Sequence, residues 1–438
     1  MKKHLVFLIC ILFVSFISCK QDEPVIPPTE DELLDELARD ALYNIMKTYY
    51  LWDKLMPEVK KENYPNPYEL LEGMRYKKLD RWSYVQDYGE YEQQSNAIFV
   101  GHGIRIGLDE NNQTRIAQIY KKSTLYDEGV RRGWIIKKLN DVELAPIFIN
   151  NNMVAYNNLI GPSQAGITNK FLFETPDGEE LTIEDTKASF TLNTVIHYDT
   201  LELKTGTTGH LVFEQFIKPS NDELEEAFTF FSQNNINNII VDLRYNGGGD
   251  LTVLQNLAAY IGGSQVFGKP FLTMTHNEQR KSQDKTINFS SVSSPVNVGK
   301  MIVITTRMTA SASEDLINGL KPLSHLEITT IGDTTNGKPV GMYGFTYPSR
   351  QSKYIFLPIA FTLLNTDNES DFYEGFVPEK YVHDDIKYDW NNRNEACLKE
   401  AISLLENGSK SSKSEYNYRK PTIFSEGSKR PDYTFLIE

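Results

Sequence analysis

The chain has 438 residues and a net charge of −14, with 45 lysine and arginine residues against 59 aspartate and glutamate residues. Contacts with phosphates need clustered basic residues, so this balance excludes nucleic acid as the expected partner. Hydrophobic residues make up 40% of the chain and aromatic residues 12%, which excludes a disordered chain and leaves room for about two or three packed domains.

The N-terminus predicts export and lipid anchoring. Two lysines precede an apolar run from Leu5 to Ile17, which is shorter than a typical membrane-spanning helix, and residues 1–18 therefore have the form of a signal peptide. Cys19 follows at the break, and this order resembles the cleavage box of bacterial lipoproteins. Ordinary signal-peptidase cleavage beside an incidental cysteine is the alternative.

The residues after Cys19 indicate where the anchored protein is expected to reside. An acidic stretch in residues 19–30 resembles the export signal of surface lipoproteins in Bacteroidetes, and three prolines make the same segment a flexible tether. We therefore expect an outer-membrane lipoprotein of the bacterial cell envelope, attached to the membrane through a lipid anchor only. Cys397 then stays as the single cysteine of the mature body, without a disulfide partner.

Residues 31–95 are predicted to form an N-terminal helical region. Apolar residues recur three and four positions apart from Asp31 to about Leu55, which is the spacing of one helix face. Prolines then interrupt the pattern, and Tyr68 to Leu79 resumes it.

Residues 98–195 change to short strands and turns. The alternating segment Arg115–Tyr120 predicts a strand, Ser123–Val130 predicts a short helix, and Trp134–Asn140 predicts another strand before a turn. This order resembles a PDZ domain.

The PDZ resemblance implies a partner and a binding loop. PDZ domains take an extended peptide as an added strand and hold its C-terminal carboxylate with loop N–H groups. The matching loop is Gly101-His102-Gly103-Ile104. The implied partner is a protein or peptide with a free C-terminus, although the two glycines could also form only a hairpin bend.

Residues 200–406 alternate short apolar strands with helices. This alternation predicts parallel βαβ units with helices on the faces of the sheet. The predicted strands are Leu211–Phe216, Asn238–Leu243, Met301–Thr305 and Glu327–Ile331, and the predicted helices include Ser220–Asn234, with a Ser220–Glu223 capping box, Leu251–Ile261 and Asn394–Leu405. Residues 407–438 are rich in serine and lysine and predict a loose tail.

Ser311 is the candidate nucleophile. The strand Met301–Thr305 ends in a run of small residues, and a helix follows. A strand, a tight turn and a helix expose a side chain at the end of a sheet, beside the N–H groups of the helix start. The pattern Ser311-x-x-Glu314 also fits an ordinary capping box, so both interpretations stay open at this point.

The remaining catalytic parts lie in two further turns. A hydroxyl is a weak nucleophile until a neighbour takes its proton, and Lys338 is the candidate base, provided that burial keeps it neutral. Gly248 and Ala312 lie at strand-to-helix turns and are candidate N–H donors for an oxyanion. The histidines lie outside the glycine-rich turns of this region. The zinc motifs H-E-x-x-H and C-x-x-C do not occur, so we expect neither a metal nor another cofactor.

Three segments together resemble the C-terminal processing peptidases, or tail-specific serine peptidases. They read Asp242-Leu243-Arg244-x-Asn246-x-Gly248-Gly249, Ser311-Ala312-Ser313-Glu314 and Gly337-Lys338. The resemblance implies a multidomain α+β fold: a helical region, a PDZ-like β-rich domain, and an α/β peptidase core of the ClpP/crotonase-like type. It implies Ser311 as nucleophile, Lys338 as general base, Glu314 as support for the dyad, and Gly248 and Ala312 as oxyanion donors.

Two features depart from the family pattern. Many members have a glutamine four residues after the base lysine, where this chain has Met342, and the spacing from Ser311 to Lys338 is longer than usual through the Leu320–Leu326 loop.

The sequence as a whole predicts a lipid-anchored serine endopeptidase. A catalytically inactive peptide-binding or scaffold lipoprotein and a hydrolase of other acyl groups are the alternatives. Substrate and oligomeric state are left open.

Overall fold

The computed structural model describes residues 29–347, 353–408 and 422–425, the last of these as backbone only. The predicted signal peptide, Cys19 and nearly all of the tether lie outside this part of the chain. Among the helices described, none has the length and apolar character needed to cross a membrane.

The N-terminal region is helical, as predicted. Its elements are α1 (Glu30–Tyr49), α2 (Pro67–Met74), β1 (Tyr84–Asp87) and α3 (Tyr88–Ser95). Thr29 and Glu32 form a capping box at the start of α1. The apolar face of α1 packs in one cluster with Tyr354 and Phe356, which belong to the far end of the chain. The helical region therefore shares a hydrophobic core with later strands.

The middle region, residues 98–191, is built from short strands around a core of its own. Its elements are β2 (Ile98–Gly101), β3 (Ile104–Leu108), β4 (Thr114–Ile119), α4 (Thr124–Asp127), β5 (Ile135–Leu139), β6 (Val142–Glu143), α5 (Ala145–Ile149), α6 (Met153–Ile160), β7 (Thr168–Glu174), β8 (Glu180–Thr186) and β9 (Ala188–Thr191). Strands β3, β4, β5, β7 and β8 pair in that order, and β2 pairs with β9. The predicted helix at Ser123–Val130 is the shorter α4.

The third region holds a six-stranded sheet and the helices that cover it. Its first elements are β10 (Val195–Leu203), β11 (Gly206–Phe213), α7 (Ser220–Gln233), β12 (Asn238–Asp242), α8 (Leu251–Gly262), β13 (Pro270–His276), β14 (Lys285–Asn288), β15 (Lys300–Thr305), α9 (Ala312–Leu320) and β16 (Glu327–Gly332). The later elements are β17 (Val340–Met342), β18 (Phe345–Tyr347), β19 (Tyr354–Leu357), β20 (Ile359–Leu364), β21 (Lys380–Tyr381), α10 (Ala396–Asn407) and β22 (Thr422–Ser425).

The main sheet confirms the α/β prediction. Its order is β10-β11-β12-β15-β16-β21, with β11 to β21 parallel and β10 antiparallel at the edge. Ile239 and Val241 face the cluster under α7, α8 and α9, while Ile240 faces the cluster under α10. Both faces are thus covered, and this explains why the strands are apolar throughout.

Two smaller sheets were not foreseen. One has the order β14-β13-β20-β17, and the other joins β1 of the helical region to β19 and β18. Their strands come from segments far apart in the chain, so no short stretch of sequence signals their pairing.

Two local predictions are wrong. Ser220 does not form a capping box with Glu223. The Ser220 hydroxyl donates to the Gln215 carbonyl oxygen at 2.8 Å, and the Glu223 carboxylate accepts from the amides of Thr194 and Val195. Four residues of the segment predicted as a loose tail, Thr422–Ser425, instead form β22, which pairs with β3 of the middle region.

Candidate active site

Ser311 lies at the turn between β15 and α9, as the sequence predicts. Its backbone has φ +55° and ψ −122°, a left-handed conformation that costs a serine about 1–3 kcal/mol. Its side chain lies among buried neighbours, with the residue 7% exposed. A strained non-glycine residue at the start of a helix, at the C-terminal end of a parallel strand, is typical of a positioned nucleophile.

Glu314 joins the serine turn to the lysine turn. Its Oε2 accepts hydrogen bonds from the backbone N–H of Ser311 at 3.0 Å and from that of Lys338 at 2.8 Å. Its Oε1 accepts from the N–H of Gly337 at 2.7 Å and from the Thr335 hydroxyl at 2.5 Å. Burial raises the pKa of Glu314, while these donors act to lower it. One carboxylate therefore ties the backbone of the Ser311 turn to the backbone of the Lys338 turn.

Lys338 is fully buried in the turn between β16 and β17. Its Nζ lies 4.0 Å from the Met342 sulfur, so position 342 does face the lysine head group, where the family resemblance implies a glutamine. A thioether is only a weak hydrogen-bond acceptor. Met342 therefore supplies shape and an apolar wall at a point where an amide would direct a hydrogen bond.

Two other regions hold the lysine turn in place. The Arg81 guanidinium donates to the carbonyl oxygens of Asn336, Gly337 and Tyr373, at 3.2, 3.3 and 3.0 Å. A Cβ added to Gly337 would lie 2.2 Å from the Tyr373 carbonyl oxygen. The helical N-terminal region and the segment around Tyr373 thus meet at the candidate base.

Gly248 lies directly against the nucleophile, but its N–H is already used. A Cβ at Gly248, where φ is +102°, would lie 2.7 Å from the Ser311 Cβ and 2.9 Å from the Ala312 nitrogen. Its N–H donates to the Asn246 side-chain oxygen at 2.9 Å, because Asn246 folds back over its own turn. Ala312 is the first residue of α9, whose amide has no partner within the helix. The Ala312 amide therefore has no partner within its helix, whereas the Gly248 amide is bonded to Asn246, and the assignment of both as oxyanion donors stays a prediction.

A buried ion network supports the Gly248 turn. Arg244 donates to Asp242, Asp384 and Glu395, and Arg132 of the middle region donates to Asp384 at 2.9 Å and to the Tyr245 hydroxyl at 3.1 Å. Burial acts to raise the pKa of Asp384, but the two guanidiniums outweigh it and lower this pKa to about 2. The network fixes Asp242–Asn246 and connects this turn to the middle region.

Sequence reasoning missed Asp315, which follows Glu314 on α9. It is fully buried, and its Oδ1 has no hydrogen-bond partner among the described residues. Burial raises the pKa of Asp315 well above its usual range, the neighbouring Glu314 adds to this, and Lys338 opposes it. The signal was available, because two adjacent acids in the first turn of a buried helix are unusual.

The loop Gly101–Ile104 lies in the middle region, where it connects β2 to β3. The His102 side chain points inward and bonds to Asn169 through Nε2 at 2.7 Å and to Asp185 through Nδ1. A Cβ at Gly103, where φ is +70°, would lie 2.6 Å from the Phe190 ring. The His102 side chain is thus an internal anchor of the loop, and peptide binding by this loop stays a prediction.

Four of the predicted residues, Ser311, Glu314, Gly248 and Ala312, meet at one point with the Lys338 turn. Among the residues that the structure describes, no three histidine, cysteine, aspartate or glutamate side chains cluster as a metal site would require. A serine on a strained turn after a parallel strand, tied to a buried lysine, has the arrangement of a serine hydrolase.

Comparison with known proteins specifies the family. The model of peptidase family S41 matches residues 207–378, and the model of the S41 N-terminal domain matches residues 38–84. The chain therefore belongs to peptidase family S41, and the expected class of serine-type peptidases is confirmed at the level of the family.

Two known proteins are similar to this chain. The carboxy-terminal processing protease CtpB of Bacillus subtilis (strain 168) is 24% identical over 275 residues, which are 61% of this chain and 53% of CtpB. The match thus spans about half the length of that relative. The crystal structure of a protein from Bacteroides fragilis NCTC 9343, assigned to the S41 proteases, superposes with a TM-score of 0.67 at 21% identity. It covers 83% of this chain and 96% of that one, and shows that the fold is shared.

Proposed function

We propose that this chain is a serine endopeptidase in which Ser311 is the nucleophile and Lys338 the general base. The observation that carries the proposal is the Glu314 carboxylate, whose Oε2 accepts from the backbone N–H groups of both residues. A structural cap would need only the serine turn. A bond to the lysine turn as well has a purpose when the two side chains must stay in register.

The proposed reaction uses these groups as follows. The Lys338 amine takes the proton of the Ser311 hydroxyl while the hydroxyl oxygen attacks the scissile carbonyl carbon, and the lysine then donates that proton to the leaving amine. The Ala312 N–H stabilises the anionic oxygen, and the Gly248 N–H also donates to this oxygen once its hydrogen bond to Asn246 has broken. Water attacks the resulting ester while Lys338 accepts a proton from it, and Lys338 then returns this proton to the Ser311 oxygen as the acid product leaves.

We further propose that the middle region engages the C-terminal tail of the substrate. Supporting this, the glycine-flanked loop Gly101–Ile104 leads directly into β3, and its His102 side chain is fixed inside the fold by Asn169. Cys19 would carry a lipid that anchors the protein to the outer membrane. Mass spectrometry of the N-terminal peptide tests this, since an unmodified Cys19 would overturn the anchor.

Paired substitutions test the dyad. Ser311→Ala and Lys338→Met should each abolish cleavage of casein while thermal unfolding stays cooperative. Ser403→Ala and Lys321→Ala are the matched controls, since Ser403 is an exposed serine of α10 and Lys321 is an exposed lysine beyond α9. Labelling with a serine-directed covalent probe should modify Ser311. Full activity of either dyad variant would refute the assignment.

A peptide-binding scaffold without activity is the second candidate function. Two observations favour it: the Gly248 N–H is occupied by Asn246, and Met342 stands at the lysine head group. In that case the wild-type chain would cleave nothing and take no probe at Ser311, yet it would bind peptides with free C-termini.

A further inference from the structure

We propose that the chain's own C-terminal segment Thr422–Ser425 occupies the peptide-docking edge of the middle region and competes there with substrate tails. The inference rests on the proposed role of β3 as the strand to which peptides add. It names the occupant of that edge before substrate arrives: a strand of this same chain.

The first observation is the position of β22 in the sheet. Strand β3 pairs with β4 on one side, and β22 covers its other side. Without β22, the backbone groups along this edge of β3 would have no strand partner, which is the situation in which an extended peptide adds to a sheet. The tail thus lies where an added peptide strand would lie.

The second observation is direction. The pairing is antiparallel, with Thr422 opposite Leu108 and Ser425 opposite Arg105. The tail therefore runs toward Gly101–Ile104, so that its C-terminal side approaches the loop that precedes β3. A peptide whose C-terminal carboxylate is held by that loop must run the same way, so the two occupants exclude each other.

The third observation is that the pairing of β22 with β3 is short enough to be reversible. Four residue pairs form the ladder, and a strand this short is weak on its own. Strand β22 is covalently attached to α10 through residues 409–421, and such an attachment raises its effective concentration at the edge of β3. Residues 409–438 also carry six basic and four acidic side chains, in a chain of net charge −14, which favours contact with the acidic body.

A fourth observation connects the edge to the candidate active site. Arg105 of β3 forms a buried ion pair with Glu214, which lies just after β11 of the main sheet, and its guanidinium lies 5.2 Å from the centre of the Tyr245 ring. Tyr245 precedes Asn246 in the Gly248 turn. The strand that the tail covers is therefore the one whose side chain reaches the catalytic core.

A binding experiment with the tail itself as probe tests the proposal. The probe is a synthetic peptide of residues 416–438 with a fluorophore at its N-terminus, read by anisotropy. The proteins are the full-length chain and a variant that ends at Gly408, both with Ser311→Ala so that the probe is not cut. The shortened variant should bind the probe, and the full-length chain should bind it at least about tenfold more weakly, since its own tail competes.

A second pair of variants keeps the chain full-length. Ile423→Pro with Phe424→Pro removes two N–H groups from β22 and should restore probe binding to the level of the shortened chain. Ser411→Pro with Ser412→Pro, in the linking segment, is the matched control and should bind as weakly as the full-length chain. Circular dichroism checks that all four proteins are folded.

Three results would overturn the proposal: equal probe binding by the full-length and shortened chains, absence of binding to the shortened chain, or equal binding by the two proline variants. If competition by the tail increased with protein concentration, β22 would belong to a second copy of the chain, and this result would also overturn the proposal. Because Ser311→Ala is used throughout, the outcome does not depend on catalysis. Loss of proteolysis in the wild type with the expected binding pattern would refute the proposed function alone.

Discussion

Replacing Gly248 with alanine tests whether the Gly248 turn positions the nucleophile. The new Cβ would lie 2.7 Å from the Ser311 Cβ and 2.8 Å from the Ala310 carbonyl oxygen, whereas ordinary contacts begin at 3.4 Å. Ser311 or the turn must therefore move by about 0.7 Å or more, and a displacement of about 1 Å can cost 100-fold in rate. We expect kcat/KM for a fluorogenic casein to fall by about 100-fold, which equals about 2.7 kcal/mol in activation free energy.

The control for this prediction is Gly268→Ala. Gly268 also has a positive φ, +72°, but an added Cβ there meets nothing within 4 Å. Both substitutions carry the backbone strain of a left-handed alanine, about 1–2 kcal/mol, and only Gly248→Ala adds the collision. The thermal unfolding temperature should therefore drop in both variants, whereas activity should drop only in Gly248→Ala. If Gly248→Ala cleaved casein within threefold of Gly268→Ala, the contact with Ser311 would not be the reason for the glycine.

Three further predictions concern the same site and its surroundings. Glu314→Gln turns one acceptor oxygen into a donor that faces two other donors, so it should lower the free energy of urea unfolding by about 3–6 kcal/mol and abolish cleavage. The control Glu327→Gln replaces an exposed carboxylate and should change this free energy by less than about 1 kcal/mol. Because the pKa of Asp384 is lowered to about 2, its contribution to stability, about 2–3 kcal/mol, is complete above pH 4 and is lost as the pH falls toward 2. The free energies of unfolding of the wild type and of Asp384→Asn should therefore become equal in acid. A difference that stayed constant with pH would contradict the ionised Asp384 carboxylate as its source. A chain ending at Gly408 should have a lower KM for peptides with a free C-terminus at unchanged kcat, and an unchanged KM would argue against competition by the tail.

The parts of this molecule that were predictable are those that depend on neighbouring residues. The parallel strands around Ile239 and Val303 are apolar runs bounded by turns, and their predicted and observed ends differ by a few residues at most. Ser311 was found because a strand, small residues and a helix follow one another within a short stretch. Cys397 was expected in a helix, and it is buried in α10 against the main sheet.

What the sequence concealed depends on which of several partners a polar side chain selects. Ser220 and Glu223 have capping-box spacing, yet each finds a nearer partner in another element, and this choice is made by the packing of β10 on α7. The amide of Gly248 is taken by Asn246, two residues away, which only the turn conformation decides. The pairing of Thr422–Ser425 with β3 joins residues more than 300 positions apart, and nothing local marks it.

The single carboxylate that holds the Ser311 and Lys338 turns together has a consequence for how this chain can vary. Because Glu314 reaches across space, the geometry of the two turns does not depend on the length of the polypeptide between them. The Leu320–Leu326 connection can therefore grow or shrink without separating the two turns. The same reasoning makes this connection the natural place to divide the protein into two fragments that reassemble into one site.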